Sequence, residues 1–273
     1  MNRLTLAPLT INEATPLELI DAAAAGGFEG VSLRLLAPPD MTLPAEIVGD
    51  AAMERAVRAR LEATGLSLFG ATGFFLMPGA ALREPERALD CAKALGAEYF
   101  VAVGYETDEA RLVDLFAALC DRAQGFGLKL ALEFQPYGSV KSIADAARIL
   151  ERAARPNAAI LVDALHLARS GGQPADIAKV PPARIAYLQL CDAPRAAPAA
   201  GDLRKESRHG RLLPGEGELP LFDLMDALPR DVAIDVECPG PALASLSYGE
   251  RAKRAAAATR RFLARYEAAR QSS

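Results

Sequence analysis

The sequence has few of the features that mark secreted, membrane or nucleic-acid-binding proteins. Only four cysteines occur in 273 residues, without a C-x-x-C pair, which predicts a reduced, cytoplasmic protein. No stretch approaches the roughly 18 apolar residues of a membrane span, and the N-terminal M-N-R-L-T-L-A-P-L-T meets proline too early for a signal peptide. The net charge of −4 lacks the basic excess of a nucleic-acid groove. We therefore expect neither a membrane nor a nucleic-acid partner.

The chain also lacks a G-x-G-x-x-G after its first predicted strand, so a doubly wound dinucleotide-binding fold is only the second choice. Instead, short aliphatic runs alternate with helical patterns, several of which stop at glycine. The predicted strands are Arg3–Ala7, Val31–Leu36, Leu66–Phe69 (continued by a glycine-containing loop to Met77), Tyr99–Val103, Lys129–Glu133, Ala159–Asp163, Ile185–Cys191 and Val232–Glu237. The predicted helices are Thr15–Ala25, Asp50–Ala63, Glu84–Leu95, Asp108–Gln124, Ile143–Ala153, Ala175–Lys179, Leu221–Leu228 and Tyr248–Arg270.

Eight strand-then-helix units in 273 residues predict an α/β fold, a single (β/α)8 TIM barrel. The predicted strands show no alternation of polar and apolar residues, as expected where helices cover one face and the barrel core the other. No linker or break in composition divides the chain. We therefore expect one domain over residues 1–273.

Four predicted strands in succession carry an oxygen-bearing side chain at or near their carboxyl end. These side chains are Glu133, Asp163, Gln189 and Glu237. The carboxyl ends of barrel strands form the active-site face, and a carboxylate closing a buried strand is costly without a partner. The sequence thus predicts one shared divalent metal, Mn²⁺ or Mg²⁺ before Co²⁺ or Zn²⁺, because the ligands are hard oxygens. For any one acid the alternative is a helix cap or a salt bridge.

The only two histidines lie in the same part of the chain. His166 follows Asp163 in D-A-L-H and is placed to contact substrate or metal, whereas His209 lies in the long polar loop after the seventh strand. Arg208 and Arg211 flank His209 and could bind a carboxylate, a phosphate or an enolate oxygen. We treat all three residues of this loop as candidate substrate contacts, with an exposed basic loop as the alternative.

Two further charges interrupt apolar strands. Arg34 ends S-L-R-L and either faces the barrel mouth, where it would bind substrate, or points out at the rim. Asp235 shares the parity of Glu237 and should point into the barrel one layer deeper. The sequence does not identify a partner for Asp235.

Five motifs together resemble the xylose isomerase-like TIM barrel proteins, often labelled sugar phosphate isomerases/epimerases. They are E-F-Q-P, D-A-L-H, L-Q-L-C-D-A-P, R-H-G-R-L-L-P-G-E-G and V-E-C-P-G. The resemblance implies one divalent metal on Glu133, Asp163, Gln189 and Glu237, with His166 and an arginine on substrate, and barrels that commonly pair as homodimers. Ketose 3-epimerases of the family usually have histidine where this chain has Gln189, which instead resembles hydroxypyruvate isomerase and the 3-dehydroshikimate dehydratase branch. The related endonuclease IV requires several more histidines.

The chemistry predicted from these residues is removal of a proton next to a metal-polarised carbonyl of a small sugar or keto acid. Glu133 or Glu237 would act as base. Proton return by the other glutamate gives a sugar (phosphate) isomerase or epimerase, which the sequence favours because both are present. Loss of a β-hydroxyl, protonated by His166, gives a dehydratase of a cyclic keto acid or polyol. A non-catalytic sugar-binding barrel is the third hypothesis.

Overall fold

Eight parallel strands pair in chain order, and the last pairs with the first, so that the sheet closes into a barrel. The computed structural model describes residues 2–38, 41–79 and 83–272. The strands are β1 (Leu4–Leu6), β2 (Gly30–Arg34), β3 (Ser67–Leu76), β4 (Tyr99–Gly104), β5 (Lys129–Glu133), β6 (Ala158–Asp163), β7 (Ile185–Leu190) and β8 (Ile234–Val236). The fold is the single (β/α)8 barrel that the repeat predicted.

Helices surround the sheet. Within the described residues they are α1 (Pro16–Gly26), α2 (Ala51–Thr64), α3 (Arg83–Ala94), α4 (Glu109–Gly125), α5 (Ile143–Ala153), α6 (Ala164–Arg169), α7 (Pro174–Ile177), α8 (Leu203–His209), α9 (Leu221–Ala227), α10 (Pro241–Ala244) and α11 (Tyr248–Gln271). Aliphatic strand residues and the inner helix faces form one large buried cluster between the two layers. None of these helices combines the length and apolar character needed to cross a bilayer.

Local sequence signals set the helix ends. Thr15 and Glu18 form a reciprocal capping box at the start of α1, which satisfies backbone N–H groups that have no partner inside the helix. The same helix ends at Gly27, whose φ of 67° lies in the left-handed region where a Cβ would be strained. The glycine stop predicted after this helix therefore has a conformational cause.

Two local predictions were wrong. The third strand does not end at Phe69 but continues to Leu76, and it accommodates a register shift between Ala71 and Phe74. The segment after β7 is not a continuous loop, because Leu203–His209 forms α8. Arg208 and His209 consequently belong to the last turn of a helix rather than to a loop.

The barrel closes through a short seam between β1 and β8, each of three residues. Beneath it Asp235 points inward as predicted and is fully buried. Its carboxylate accepts hydrogen bonds from the hydroxyls of Thr5 at 2.6 Å and Ser32 at 3.0 Å. Burial raises the pKa of Asp235 to about 6, although the two hydroxyls oppose this shift. Asp235 therefore links three strands below the barrel mouth.

Candidate active site

A cleft with a cavity volume of about 90 Å³ opens at the carboxyl ends of the strands, the face on which barrel enzymes carry their sites. Its charged and hydrogen-bonding side chains come from both walls and include Arg34, Tyr105, Glu133, Gln135, Tyr137, His166, Gln189, Ser207, Arg208, Arg211 and Glu237. Most of the residues singled out from the sequence therefore meet in one cavity.

Asp163 lies under the floor of this cleft and positions its neighbour. As the last residue of β6 it caps α6, and its Oδ1 accepts the backbone N–H of His166 at 2.9 Å. This hydrogen bond fixes the first turn of α6 against the end of the strand. The D-A-L-H motif thus brings a ring nitrogen of His166, which is 2% exposed, within 4.8 Å of the Asp163 carboxylate.

The wall formed by β5 and β6 brings a carboxylate and an imidazole together. His166 Nε2 lies 3.5 Å from Glu133 Oε1, and the ring of Tyr137 packs edge-on against the imidazole. The amide of Gln135 donates to the same Glu133 oxygen at 3.2 Å, while its own oxygen accepts from the hydroxyl of Tyr105 at 3.2 Å. Glu133 is therefore oriented from two sides and is the nearest base to His166.

Arg211 occupies the centre of the floor, with only 1% of its side chain exposed. Its guanidinium reaches Asp163 Oδ2 at 2.6 Å and Glu237 Oε2 at 2.9 Å. It also donates to the backbone oxygen of Ser207 at 2.8 Å. Burial works against its charge, but the two carboxylates outweigh this and hold the pKa of Arg211 well above its ordinary value. The sequence could not distinguish this buried ion pair from a substrate contact.

The carboxylates differ in how completely they are neutralised. Burial opposes ionisation of Asp163, yet Arg211 and then His166 hold its pKa below the ordinary value. Burial raises the pKa of Glu237 to about 8, against the pull of Arg211, and the neighbouring Asp163 and Glu133 carboxylates add to this rise. The single positive charge of Arg211 therefore does not balance the negative charges of the three carboxylates.

The donor set fits a divalent cation. Ligand atoms of Glu133, Asp163 and His166 lie within 4.8 Å of one another. The side-chain nitrogen of Gln189 donates to Glu237 at 3.2 Å, but its buried oxygen has no hydrogen-bond partner among the described residues. An unpaired amide oxygen beside an excess of carboxylates is the environment that a hard metal ion stabilises. The four ligands predicted from the sequence lie at this end of the barrel, and their role stays a prediction.

The other predicted substrate contacts divide into two groups. Arg34 and Arg208 line the cleft together with Arg211. His209 is exposed and lines a neighbouring pocket beside Pro239 and Gly240 instead. The three arginines therefore share one cavity, whereas His209 lies outside it, and their contact with substrate stays a prediction.

Sequence reasoning missed how α8 closes one side of the cleft. Ser207 Oγ and the hydroxyl of Tyr137 lie 2.9 Å apart, and the guanidinium of Arg204 stacks over the rings of Tyr105 and Tyr137 at 5.6 and 5.2 Å. On its other side Glu206 forms a two-point ion pair with Arg169 at 2.7 and 2.8 Å. The sequence signal for this wall is the Q-P-Y run at residues 135–137, just beyond Glu133 and Phe134.

The segment that carries Arg211 is held by a buried carboxylate. Asp192 is 1% exposed, and its two oxygens accept the backbone N–H groups of Ala193, Gly215, Gly217 and Leu219 at 2.8 to 3.1 Å. Its own backbone pairs with Leu212 in an antiparallel bridge. This arrangement explains the glycines of P-G-E-G, because a Cβ on Gly217 would lie 2.5 Å from Asp192 Oδ1.

Comparisons with known proteins agree with this architecture. Residues 20–266 match the family model described as Xylose isomerase-like TIM barrel. A 3-dehydroshikimate dehydratase from Pseudomonas aeruginosa is 28% identical over 242 residues, which cover 84% of this chain and 36% of that protein. An inosose isomerase from Halalkalibacterium halodurans is 29% identical over 180 residues, covering 61% of this chain and 62% of that protein. The chain thus spans about a third of the dehydratase that it matches.

Among solved structures, a protein named IolI, crystallised with a zinc atom, superposes with a TM-score of 0.80 at 20% identity. The match covers 97% of this chain and 99% of IolI. At this identity the likeness shows the fold alone.

Proposed function

The chain belongs to the xylose isomerase-like TIM barrel family, and from this premise we propose that it is a divalent-metal-dependent enzyme that removes a proton next to the carbonyl of a small polyhydroxylated substrate. The reaction that we favour is dehydration of a cyclic hydroxy-ketone. A metal held by Glu133, Asp163, Gln189 and Glu237 would polarise the carbonyl and stabilise the negative charge that develops on its oxygen.

The observation that carries the proposal is the pair formed by Glu133 and His166, 3.5 Å apart in the wall of the cleft. One group accepts a proton as a carboxylate, and the other can donate one as an imidazolium. Both side chains are held by neighbours, Glu133 by Gln135 and His166 by Tyr137. Such a pair can remove a proton from one atom of a substrate and donate a proton to a second atom on the same face.

In the proposed reaction Glu133 takes the proton from the carbon next to the carbonyl. The electrons of that C–H bond form a carbon–carbon double bond, and the bond to the β-hydroxyl breaks. The leaving oxygen takes a proton from His166 and departs as water. The proton on Glu133 then returns to His166 across the 3.5 Å contact, so the enzyme is restored without a co-reactant.

Contacts of Glu237 favour dehydration over epimerisation. Epimerisation needs a second acid or base on the opposite face of the substrate, and Glu237 is the candidate there. One of its oxygens contacts Arg211 at 2.9 Å and the other accepts from Gln189 at 3.2 Å. Because both oxygens are engaged, Glu237 is better suited to bind and orient than to exchange protons.

Isomerisation is the second candidate. A single base can move a proton between adjacent carbons of an enediol on one face, so the Glu133–His166 pair is compatible with this reaction. The similarity to an inosose isomerase supports it, as the similarity to a 3-dehydroshikimate dehydratase supports dehydration.

The test is incubation of the protein with Mn²⁺ and either 3-dehydroshikimate or inosose in D₂O. Growth of an aromatic or enone absorbance with release of water supports dehydration, and deuterium in a recovered isomer supports isomerisation. Glu133→Gln should lower turnover by about 10²- to 10⁴-fold, the usual contribution of a general base. The matched control Glu62→Gln, on the exposed face of α2, should retain full turnover. Unchanged turnover in Glu133→Gln would exclude the mechanism.

Elemental analysis tests the metal separately. We expect about one divalent ion per chain, and less in Glu237→Gln. A wild-type protein that cannot be loaded with Mn²⁺ or Zn²⁺ would contradict the proposal, whatever the reaction.

A further inference from the structure

We propose that Arg34 makes the cleft specific for a substrate that carries a carboxylate or phosphate group. This inference rests on the proposed function, because it takes the cleft to be the active site. It adds what the proton-transfer pair does not determine, namely the charge of the molecule that binds.

The position of Arg34 suits this role. It is the last residue of β2, which lies across the barrel from β6, the strand that ends in Asp163. Its Nη1 donates to the side-chain oxygen of Asn12 at 2.7 Å, and its side chain lines the cleft. A substrate reaching from the carboxylate cluster to the opposite wall would meet this guanidinium.

Arg34 differs in its partners from three largely buried arginines of the chain. Arg211 pairs with Asp163 and Glu237, Arg169 with Glu206, and Arg251 with Glu13. Among residues 2–38, 41–79 and 83–272, no carboxylate lies within 4.0 Å of Arg34, and its hydrogen-bond acceptor is a neutral amide. A partly buried cation without a counter-charge is costly. An anion entering the cleft would supply that counter-charge.

The electrostatics of the cleft act in the same direction. Burial lowers the pKa of Arg34 and the nearby guanidinium of Arg208 lowers it further, and together they outweigh the opposing effect of the Glu237 and Glu133 carboxylates. The pKa of Arg211 moves the opposite way, because carboxylates contact that side chain. Two like charges on the rim of one cleft favour a ligand group of the opposite sign.

This charge separates the substrates of the relatives. 3-Dehydroshikimate carries a carboxylate, whereas inosose is a neutral cyclic ketone. A guanidinium can hold a carboxylate or a phosphate by two parallel hydrogen bonds but gains no such charge-assisted contact from a neutral polyol. The inference therefore favours the keto acid over the cyclitol, and a phosphorylated ketose remains the other anionic class.

The experiment is isothermal titration calorimetry of the Mn²⁺-loaded protein with 3-dehydroshikimate, fructose 6-phosphate and inosose. We expect the wild type to bind one of the two anions more tightly than inosose, and the tighter anion identifies the carboxylate or phosphate source. Arg34→Gln should weaken binding of that anion by about 10- to 100-fold, the effect of losing charge-assisted hydrogen bonds. Its affinity for inosose should stay within about twofold of wild type.

Three further variants separate a charge effect from a folding effect. Arg34→Lys keeps the positive charge but lacks the two parallel N–H donors of the guanidinium, so it should bind the anion more tightly than Arg34→Gln and more weakly than wild type. Asn12→Ala keeps the arginine but removes its hydrogen bond, with an expected loss of about three- to tenfold. Arg60→Gln removes an exposed arginine on α2 that pairs with Asp21 and should leave all three affinities unchanged. Circular dichroism establishes that each variant is folded.

The outcomes for binding and turnover are distinct. Equal anion affinity in wild type and Arg34→Gln, or a wild type that binds inosose more tightly than either anion, would overturn the inference even if the enzyme is active. Anion binding that is lost in Arg34→Gln without turnover of any probe would support the inference and count against the proposed reaction.

Discussion

Asp192 provides the most direct test of how the segment that carries Arg211 is held. Its buried carboxylate accepts four backbone N–H groups, from Ala193, Gly215, Gly217 and Leu219. Asp192→Asn has nearly the same shape, but its amide nitrogen donates hydrogen bonds and cannot accept them. Two of the four N–H groups would therefore face another donor inside the protein.

The size of the effect follows from this count. A hydrogen bond to a charged group contributes about 1.5–3 kcal/mol, so loss of two predicts that the free energy of unfolding falls by about 3–6 kcal/mol. Urea denaturation followed by circular dichroism measures this change as a lower midpoint with an unchanged slope. The matched control is Asp121→Asn, an exposed carboxylate paired with Arg155, for which we expect a loss of about 0–1 kcal/mol.

A result for Asp192→Asn inside the range of the control would refute this reasoning. It would mean that the segment from Leu212 to Leu219 keeps its conformation without a charged acceptor. If the large loss occurs, the variant should also bind Mn²⁺ more weakly than wild type, because the same segment positions Arg211 beside Asp163.

Two further substitutions test contacts around the site. Gly240→Ala should lower the free energy of unfolding, measured in urea, by about 1–3 kcal/mol, because its Cβ would lie 2.1 Å from the backbone oxygen of Arg211. The control Gly125→Ala, whose Cβ meets no atom within 4 Å, should be neutral or stabilising. Equal effects of the two substitutions would contradict the argument. Arg169→Met should cost about 3–5 kcal/mol, because it leaves Glu206 largely buried without its cation. The exposed control Lys179→Met should change stability by less than about 1 kcal/mol, and a similarly small effect for Arg169→Met would show that the ion pair does not anchor α8.

The architecture was largely predictable because strands and helices space their apolar residues differently along the sequence. Lys129–Glu133 was predicted with its observed bounds, since a short aliphatic run is enclosed by polar residues and helical patterns. The carboxyl-terminal ends of such strands share one face of a barrel. This rule placed Glu133, Asp163 and Gln189 together without any knowledge of distances.

Side-chain pairing was not predictable to the same degree. Arg211 and Arg208 lie three residues apart and look equivalent in the sequence, and both line the cleft. Arg211 is nevertheless buried between two carboxylates, whereas Arg208 is only half-buried. The backbone N–H of Arg211 also bonds a distant segment, donating to the oxygen of Pro239 at 3.0 Å. Contacts between segments that are distant in the chain leave no periodic signal.

The helix α8 was missed for a related reason. L-R-K-E-S-R-H offers a single apolar residue at its start, so no apolar face predicts a helix. Its contacts are polar instead: Glu206 with Arg169, Ser207 with Tyr137, and Arg204 with two tyrosine rings. Each is visible only once β4 to β7 are placed side by side.

The short seam between β1 and β8 gives the first residues of the chain an influence on the position of a candidate metal ligand, Glu237. Glu237 directly follows β8, and the hydroxyl of Thr10 bridges this point by donating to Val236 and accepting from the N–H of Cys238, both at 2.9 Å. The segment from Leu4 to Thr10 thus joins β2 and β8, the two strands that would otherwise form open edges of the sheet. A fragment that begins at residue 20, where the family match starts, would keep every candidate ligand but expose the edges of β2 and β8. Such open edges pair readily with other chains. The segment from Leu4 to Thr10 therefore protects the barrel from such pairing and fixes the position of Glu237.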